Sequence, residues 1–113
     1  MISKWIIGAL KYSNGTHDFE DVVRGIEQGE FQLFANDRGC VVTQITQYPR
    51  KKVLFVFLAG GDLEGVTDLH EAVIEFAKSR NCELMTMIVR MGWTKALKQH
   101  GWSVDSACMT RVI

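Results

Sequence analysis

The chain has 113 residues, which suits one domain spanning residues 1–113, because two halves would each be too small to bury an adequate core. Apolar residues make up 47% of the sequence and charged residues 23%, a balance that excludes a disordered chain. Thirteen basic residues offset 13 acidic ones, so the positive surplus of most nucleic-acid-binding proteins is missing. We therefore expect no nucleic acid as a partner. We also expect no membrane, because the longest apolar run, Val53–Ala59, is far shorter than the roughly 20 residues that span a bilayer.

The first half of the chain predicts two amphipathic helices followed by a β-hairpin. Apolar residues recur at helical spacing around Trp5 and again from Phe19 to Ile26, with Thr16 or Asp18 as the cap of the second helix. Alternating polarity then predicts strands beginning at residue 31 and over residues 40–47, joined by a turn at residues 36–39.

The second half centres on Val53–Leu58, which is apolar at every position, as in a strand covered on both faces. The remaining predicted elements, in chain order, are a glycine-rich loop over Ala59–Val66, a helix over Thr67–Ser79 capped by Thr67, a strand over Glu83–Val89, a short helix over Trp93–Gln99 and a last strand over Val104–Val112. This order predicts an α/β (α+β) three-layer domain whose mixed, mostly antiparallel sheet has helices on both faces.

Cysteine and histidine usage gives no sign of a disulfide framework or a metal site. Cys40, Cys82 and Cys108 are odd in number and widely spaced, which favours a reducing compartment such as the cytoplasm. The three histidines fall on three different predicted elements, without the spacing of zinc ligands. We therefore predict no metal.

Several short motifs, spread over nearly the whole chain, resemble those of small proteins encoded by tailed bacteriophages that are described as having a GNAT-like (acyl-CoA N-acyltransferase) fold. The motifs are Tyr12-x-x-Gly15-Thr16-His17, Phe31-Gln32-Leu33, Val42-Thr43-x-Ile45, Tyr48-Pro49-Arg50-Lys51, Leu58-Ala59-Gly60-Gly61 and Arg90-x-Gly92-Trp93. The resemblance implies a bacteriophage origin and a place in the host cell cytoplasm or in the virion.

The resemblance also implies where acetyl-CoA would bind. In such enzymes the loop after the central strand holds the pyrophosphate, and the next strand splays away to admit the pantetheine arm. The implied cofactor-binding residues are Leu58, Ala59, Gly60, Gly61, Gly65 and Val66. Glu64 or His70 is the candidate general base, with Glu71 as a further alternative.

Three departures from the family pattern leave two functions open. The loop lacks the usual Gln/Arg-x-x-Gly-x-Gly/Ala motif, it contains the carboxylates of Asp62 and Glu64, and residues 92–100 contain no tyrosine to protonate a departing thiolate. The first hypothesis is an acyl-CoA-dependent N-acyltransferase. The second is a non-catalytic virion or virion-assembly protein of the same fold that binds other phage proteins.

Overall fold

The computed structural model describes residues 1–113, which form five α-helices, one 3-10 turn and a four-stranded sheet. The elements are α1 (Ile2–Leu10), α2 (Phe19–Glu27), β1 (Gln32–Ala35), β2 (Gly39–Gln47), β3 (Lys52–Gly61), α3 (Leu63–Asp68), α4 (His70–Ser79), β4 (Leu84–Met87), the 3-10 turn (Met91–Trp93) and α5 (Thr94–Lys98). No helix is long and apolar enough to cross a membrane.

The sheet follows chain order, β1-β2-β3-β4, and is mixed. The β1–β2 and β2–β3 pairs are antiparallel, whereas β3 and β4 are parallel, joined through α3 and α4. This confirms the predicted mostly antiparallel sheet. A β-bulge interrupts the β2–β3 ladder, because Val42 pairs with Leu58 and Thr43 pairs with Val56, which leaves Phe57 as the extra residue on β3.

Two hydrophobic clusters cover the two faces of the sheet, so the predicted three layers are confirmed. On one face, α1 buries Ile6 and Ala9, and α2 buries Val22, against Val42 and Leu58 of the sheet. The second cluster contains the following residues from the sheet and from α3 and α4: Val41, Leu54, Val56, Val66, Leu69, Val73 and Ala77. In each helix the residues at apolar spacing therefore form the face that packs against the sheet.

The connection after β3 differs from the prediction. The strand extends to Gly61 rather than ending before a flexible loop, and Asp62 caps a helix that starts at Leu63. Thr67 is not the cap, and the predicted helix over Thr67–Ser79 is divided at Leu69 into α3 and α4. The aspartate side chain accepts from the third backbone N–H of α3, which makes it the stronger start signal.

The predicted last strand is wrong, whereas one of the two caps expected for the second helix is confirmed. Residues 104–112 form no strand and are exposed, so Cys108 is an exposed thiol rather than a buried strand residue. At the second helix the cap is Asp18, whose carboxylate accepts from the N–H of Asp21, while the Asp21 carboxylate accepts from the N–H of Asp18. That reciprocal pair satisfies two of the helix's free donors, which Thr16 does not reach.

Candidate functional site

Strands β3 and β4 separate halfway along β3. Their last pair is Val56 with Met87, yet β3 continues to Gly61. The bulge residue Phe57 has no partner on β2 and lies directly after the last pair with β4. The backbone edge of β3 from residue 57 to residue 61 consequently has no strand beside it on the β4 side, which is the splay that the resemblance implies.

A cavity of about 510 Å³ opens where the two strands separate. Its lining includes Ala9 from the α1 side of the sheet and Val73 from the α4 side, so it passes through the plane of the sheet. Trp93 and Trp102, which the sequence places at the two ends of the short last helix, both line it. Eighteen of its 24 lining residues are hydrophobic, as is typical of a pocket for a small organic ligand.

Few polar side chains reach the cavity, and none is a carboxylate. They are Ser13, Asn14, Thr16, Thr67, His70 and Arg90. The Arg90 guanidinium carbon lies 4.5 Å from the centre of the Tyr12 ring and 4.3 Å from that of the Trp93 ring. Two cation–π contacts therefore hold Arg90 at the cavity.

His70 is the titratable group that best fits a proton-accepting role. Its Nε2 atom accepts a hydrogen bond of 2.9 Å from the indole N–H of Trp102, and its ring centre lies 5.2 Å from that of His100. An indole nitrogen only donates, so Nε2 carries no proton and the neutral ring is protonated at Nδ1. Burial, reinforced by the neighbouring His100, lowers the pKa of His70.

The other candidate base, Glu64, faces away from the cavity. Arg38, in the turn between β1 and β2, donates to Glu64 at 3.0 Å and to Asp62 at 3.2 Å. The hydrogen bond to Glu64, followed by that to Asp62, raises the pKa of the guanidinium. The N–H of Gly65, followed by Arg38, lowers the pKa of the Asp62 carboxyl. The two carboxylates thus share the single guanidinium of Arg38 at the surface, and neither of them nor Glu71 lines the cavity.

The predicted cofactor-binding residues divide into two groups. Leu58, Ala59 and Val66 line the cavity, whereas the three glycines of the segment do not. The glycines instead make room for the chain's own backbone. A Cβ atom at Gly60 would lie 2.5 Å from the Trp5 carbonyl oxygen, and one at Gly65 would lie 2.6 Å from the Arg38 carbonyl carbon.

The remaining cysteine and histidine candidates lie apart from one another. Cys40 is buried, and burial raises the pKa of its thiol, which suits a small packing residue rather than a nucleophile. His17 packs edge-on against Phe57 with ring centres 4.7 Å apart. No group of three or more histidine, cysteine, aspartate or glutamate side chains is arranged to hold a metal ion.

No protein-family model and no curated protein matches the sequence. Solved structures do. An acetyltransferase from Trypanosoma brucei superposes with a TM-score of 0.70 at 10% identity, over 100% of this chain and 96% of that chain. The glucosamine-6-phosphate N-acetyltransferase of Arabidopsis thaliana gives 0.67 at 14% identity, over 95% and 86% of the two chains.

The chain has a GNAT-like α/β fold. A protein described as a transcriptional regulator from Bacillus halodurans also superposes, with a TM-score of 0.69 at 16% identity, over 84% of this chain and 75% of that chain. The three superposed proteins thus differ in their described functions, and at these identities the likeness establishes the fold alone. None of these three is described as a phage protein, so the bacteriophage origin and the virion role stay predictions.

Proposed function

We propose that the protein binds an acyl-CoA in the cavity between β3 and β4 and transfers the acyl group to an amine. The observation that carries this proposal is the cavity at the point where the strands separate. It lies beside the segment for which the GNAT-like resemblance implies cofactor contacts, and it is lined by three of the six implied residues, Leu58, Ala59 and Val66.

The lining suits the pantetheine arm of such a ligand. That arm carries amide groups on a narrow, mostly apolar chain, and the unpaired edge of β3 from Phe57 to Ala59 offers backbone donors and acceptors, as an edge strand does to an added strand. Met87 and Trp93 supply apolar walls on the opposite side. Bound acyl-CoA would supply an acyl group activated as a thioester.

As the amine forms its C–N bond to the acyl carbon and the C–S bond of the thioester breaks, His70 would accept the proton that the amine loses. Coenzyme A would leave as the thiolate, which takes a proton from solvent. Its lowered pKa keeps the imidazole neutral near pH 7, and its Nε2 atom carries the lone pair that would accept the proton. Trp102 occupies that lone pair, so the amine must replace the indole N–H before His70 acts. Trp102 is therefore a positioning residue, which holds the proton of His70 on Nδ1.

The non-catalytic alternative is favoured by the backbone of the glycine segment. The N–H groups of Asp62, Gly65 and Val66 bond within the protein, to Arg38 O, Asp62 Oδ1 and Asp62 O respectively. These three N–H groups, that of Gly65 included, are therefore not free to donate to a pyrophosphate. A phosphate contact at Gly60 or Gly61 stays a prediction. A protein that kept the fold without the reaction, such as the virion-assembly protein of the second hypothesis, would show this internal bonding.

Calorimetric titration with acetyl-CoA and with free coenzyme A tests the proposal. We expect the wild type to bind acetyl-CoA with a dissociation constant in the micromolar range, and Ala59→Phe to abolish binding, because the added ring fills the cavity. Ala35→Phe is the matched control, since Ala35 is an exposed strand residue outside the cavity.

The outcome separates the two functions. Binding that Ala59→Phe removes and Ala35→Phe preserves supports acyl-CoA binding, and an amine-acceptor screen with His70→Gln then tests transfer. No heat up to millimolar ligand, with circular dichroism showing a folded protein, overturns the proposal in favour of the non-catalytic alternative.

A further inference from the structure

Arg90 is the feature of the cavity that acyl-CoA binding leaves unexplained. Its guanidinium is stacked between Tyr12 and Trp93, and it belongs to none of the protein's three ion pairs, which join Arg24 to Asp21 and Arg38 to Asp62 and Glu64. A cation over an aromatic ring is held without use of its N–H donors. The five N–H donors of Arg90 therefore remain available beside an apolar cavity.

The charge of the lining limits which acceptors this cavity takes. No aspartate or glutamate lines it, so nothing in it balances a polycationic acceptor such as an aminoglycoside or a polyamine. The charge that the lining does carry is the cation of Arg90, since His70 is neutral near pH 7. Electrostatic complementarity thus favours a ligand with one anionic group and an apolar body.

We propose that the cavity takes an apolar amino-carboxylic acid, whose carboxylate is bound by Arg90 between Tyr12 and Trp93. Arginine presents paired N–H groups that match the two oxygens of a carboxylate, and the flanking rings limit the freedom of the side chain before the ligand arrives. The assignment of this ligand as the acyl acceptor rests on the proposed function, whereas the carboxylate contact stands on the cavity alone. The acylated products carry the same carboxylate and apolar body.

Products are therefore suitable probes, because their binding needs neither acyl-CoA nor turnover. Calorimetry with N-acetyl-L-phenylalanine and with N-acetyl-6-aminohexanoate covers a short and a long spacing between the amide and the carboxylate. The corresponding neutral carboxamides provide ligands of the same shape without the charge. We expect at least one acid to bind the wild type about 10-fold to 100-fold more tightly than its carboxamide, as for other hydrogen bonds to a charged group.

Arg90→Gln should lower the affinity for the acid by the same factor and leave the affinity for the carboxamide unchanged. Arg80→Gln is the matched control, because Arg80 also stacks on an aromatic ring, at 4.9 Å from the centre of Phe76, but lies outside the cavity. It should leave both affinities as in the wild type. Coenzyme A is titrated against the same variants, so that a phosphate contact at Arg90 is distinguished from a carboxylate contact.

The results separate this inference from the proposed function. Binding of an acid that is weakened in Arg90→Gln supports the carboxylate site, even where coenzyme A does not bind and the proposed function fails. Binding of coenzyme A with neither acid bound, or acids bound as weakly as their carboxamides, overturns the inference and leaves the proposed function standing. If Arg90→Gln loses affinity for coenzyme A and neither acid binds the wild type, Arg90 contacts a phosphate of coenzyme A, and the inference of a carboxylate site is overturned.

Discussion

At Gly61 the backbone conformation and the neighbouring chain both exclude a side chain. Its φ is +98°, in the left-handed region, and a Cβ atom there would lie 2.3 Å from the Arg38 carbonyl oxygen. The end of β3 and the turn between β1 and β2 approach each other at this point, and the N–H of Asp62 bonds to the same carbonyl. Gly61 consequently fixes the position of Asp62, the cap of α3.

Gly61→Ala should lower the free energy of unfolding by about 2–4 kcal/mol, the sum of a left-handed alanine and an overpacked contact. Gly15→Ala is the control, because Gly15 has φ +73° but no neighbour within 4 Å, and it should cost only about 1–2 kcal/mol. Urea unfolding of both variants measures the difference. Equal losses would show that the contact with Arg38 carries no cost.

Arg90 illustrates what residue-level analysis of the sequence missed. It stands three positions before Trp93, and that spacing is the local signal of a cation–π pair. Tyr12, the other ring, is 78 residues away, and nothing in the sequence places it beside Arg90. The sequence also gave no sign of the backbone packing at Gly60 and Gly61, where the chain's own carbonyls lie close to the glycine Cα atoms. The cofactor contacts that the resemblance implies for these glycines stay a prediction.

Among the elements, the helices α1 and α2 each contain one glycine, and the two glycines differ in what surrounds them. Gly8 in α1 has no neighbour within 4 Å of a would-be Cβ atom. Gly25 in α2 is buried, and its Cβ atom would lie 2.3 Å from the ring of Phe31. Only the second glycine is therefore required by packing.

Gly8→Ala should raise the free energy of unfolding by about 0.5–1 kcal/mol, because alanine loses less backbone entropy in a helix and meets nothing here. Gly25→Ala carries the same propensity gain but displaces Phe31, so it should destabilise the protein. The midpoints of urea unfolding compare the two. If both substitutions stabilise the protein, the ring of Phe31 moves aside without lowering the free energy of unfolding, and the packing explanation for Gly25 is wrong.

The element boundaries also show which local signals decide. Asp18 and Asp62 are both caps with a donor three residues ahead, and the sequence marks each as an acidic residue before an apolar stripe. Thr67 carries a similar signal, and the glycines at positions 60, 61 and 65 favour a loop before it, which is why the sequence predicts the cap at Thr67. The prediction of a last strand was wrong for another reason. The apolar spacing over Val104–Val112 is a local pattern, whereas a stable strand also needs a neighbouring strand with which to pair.

For the molecule as a whole, His70 links folding stability to pH. Burial and His100 lower its pKa below 6.5, so between the folded and unfolded values the unfolded state binds more protons. The contribution of His70 to the free energy of unfolding therefore rises with pH across that range, and it is lost as the pH falls from about 6.5 through the folded-state pKa. The carboxyls of Asp21 and Asp62, whose pKa values are lowered from 3.8, contribute stability that is lost only below about pH 4.

Urea unfolding at about pH 5, 6 and 7 should show the free energy of unfolding rising with pH in the wild type. His70→Gln should make that slope shallower, because glutamine still accepts from Trp102 but does not titrate. His17→Gln is the control for loss of a histidine elsewhere. A wild-type slope retained in His70→Gln would exclude His70 as its source.

The predicted order of layers and strands is confirmed as far as β4, because it depends on periodicity, which each segment carries within itself. The fifth predicted strand, over Val104–Val112, is absent. The site was only half predictable. Cavity residues on β3 follow from the strand end, but the His70–Trp102 bond spans 32 residues and depends on how the chain after β4 returns to α4. Such contacts are properties of the packed molecule rather than of any segment.

The separation of β3 and β4 has a mechanical consequence. Only residues 53–56 of β3 pair with β4, whereas β2 and β3 pair over residues 39–47. Residues 84–113 are thus attached to the sheet by a short ladder and by side-chain contacts such as the His70–Trp102 hydrogen bond. We expect this segment to open at a lower free energy than the hairpin of β2 and β3. A ligand lying between the strands would contact both β3 and the last 30 or so residues, so it would bind only while that segment is attached. Ligand binding and attachment of the segment would therefore be thermodynamically linked, each favouring the other.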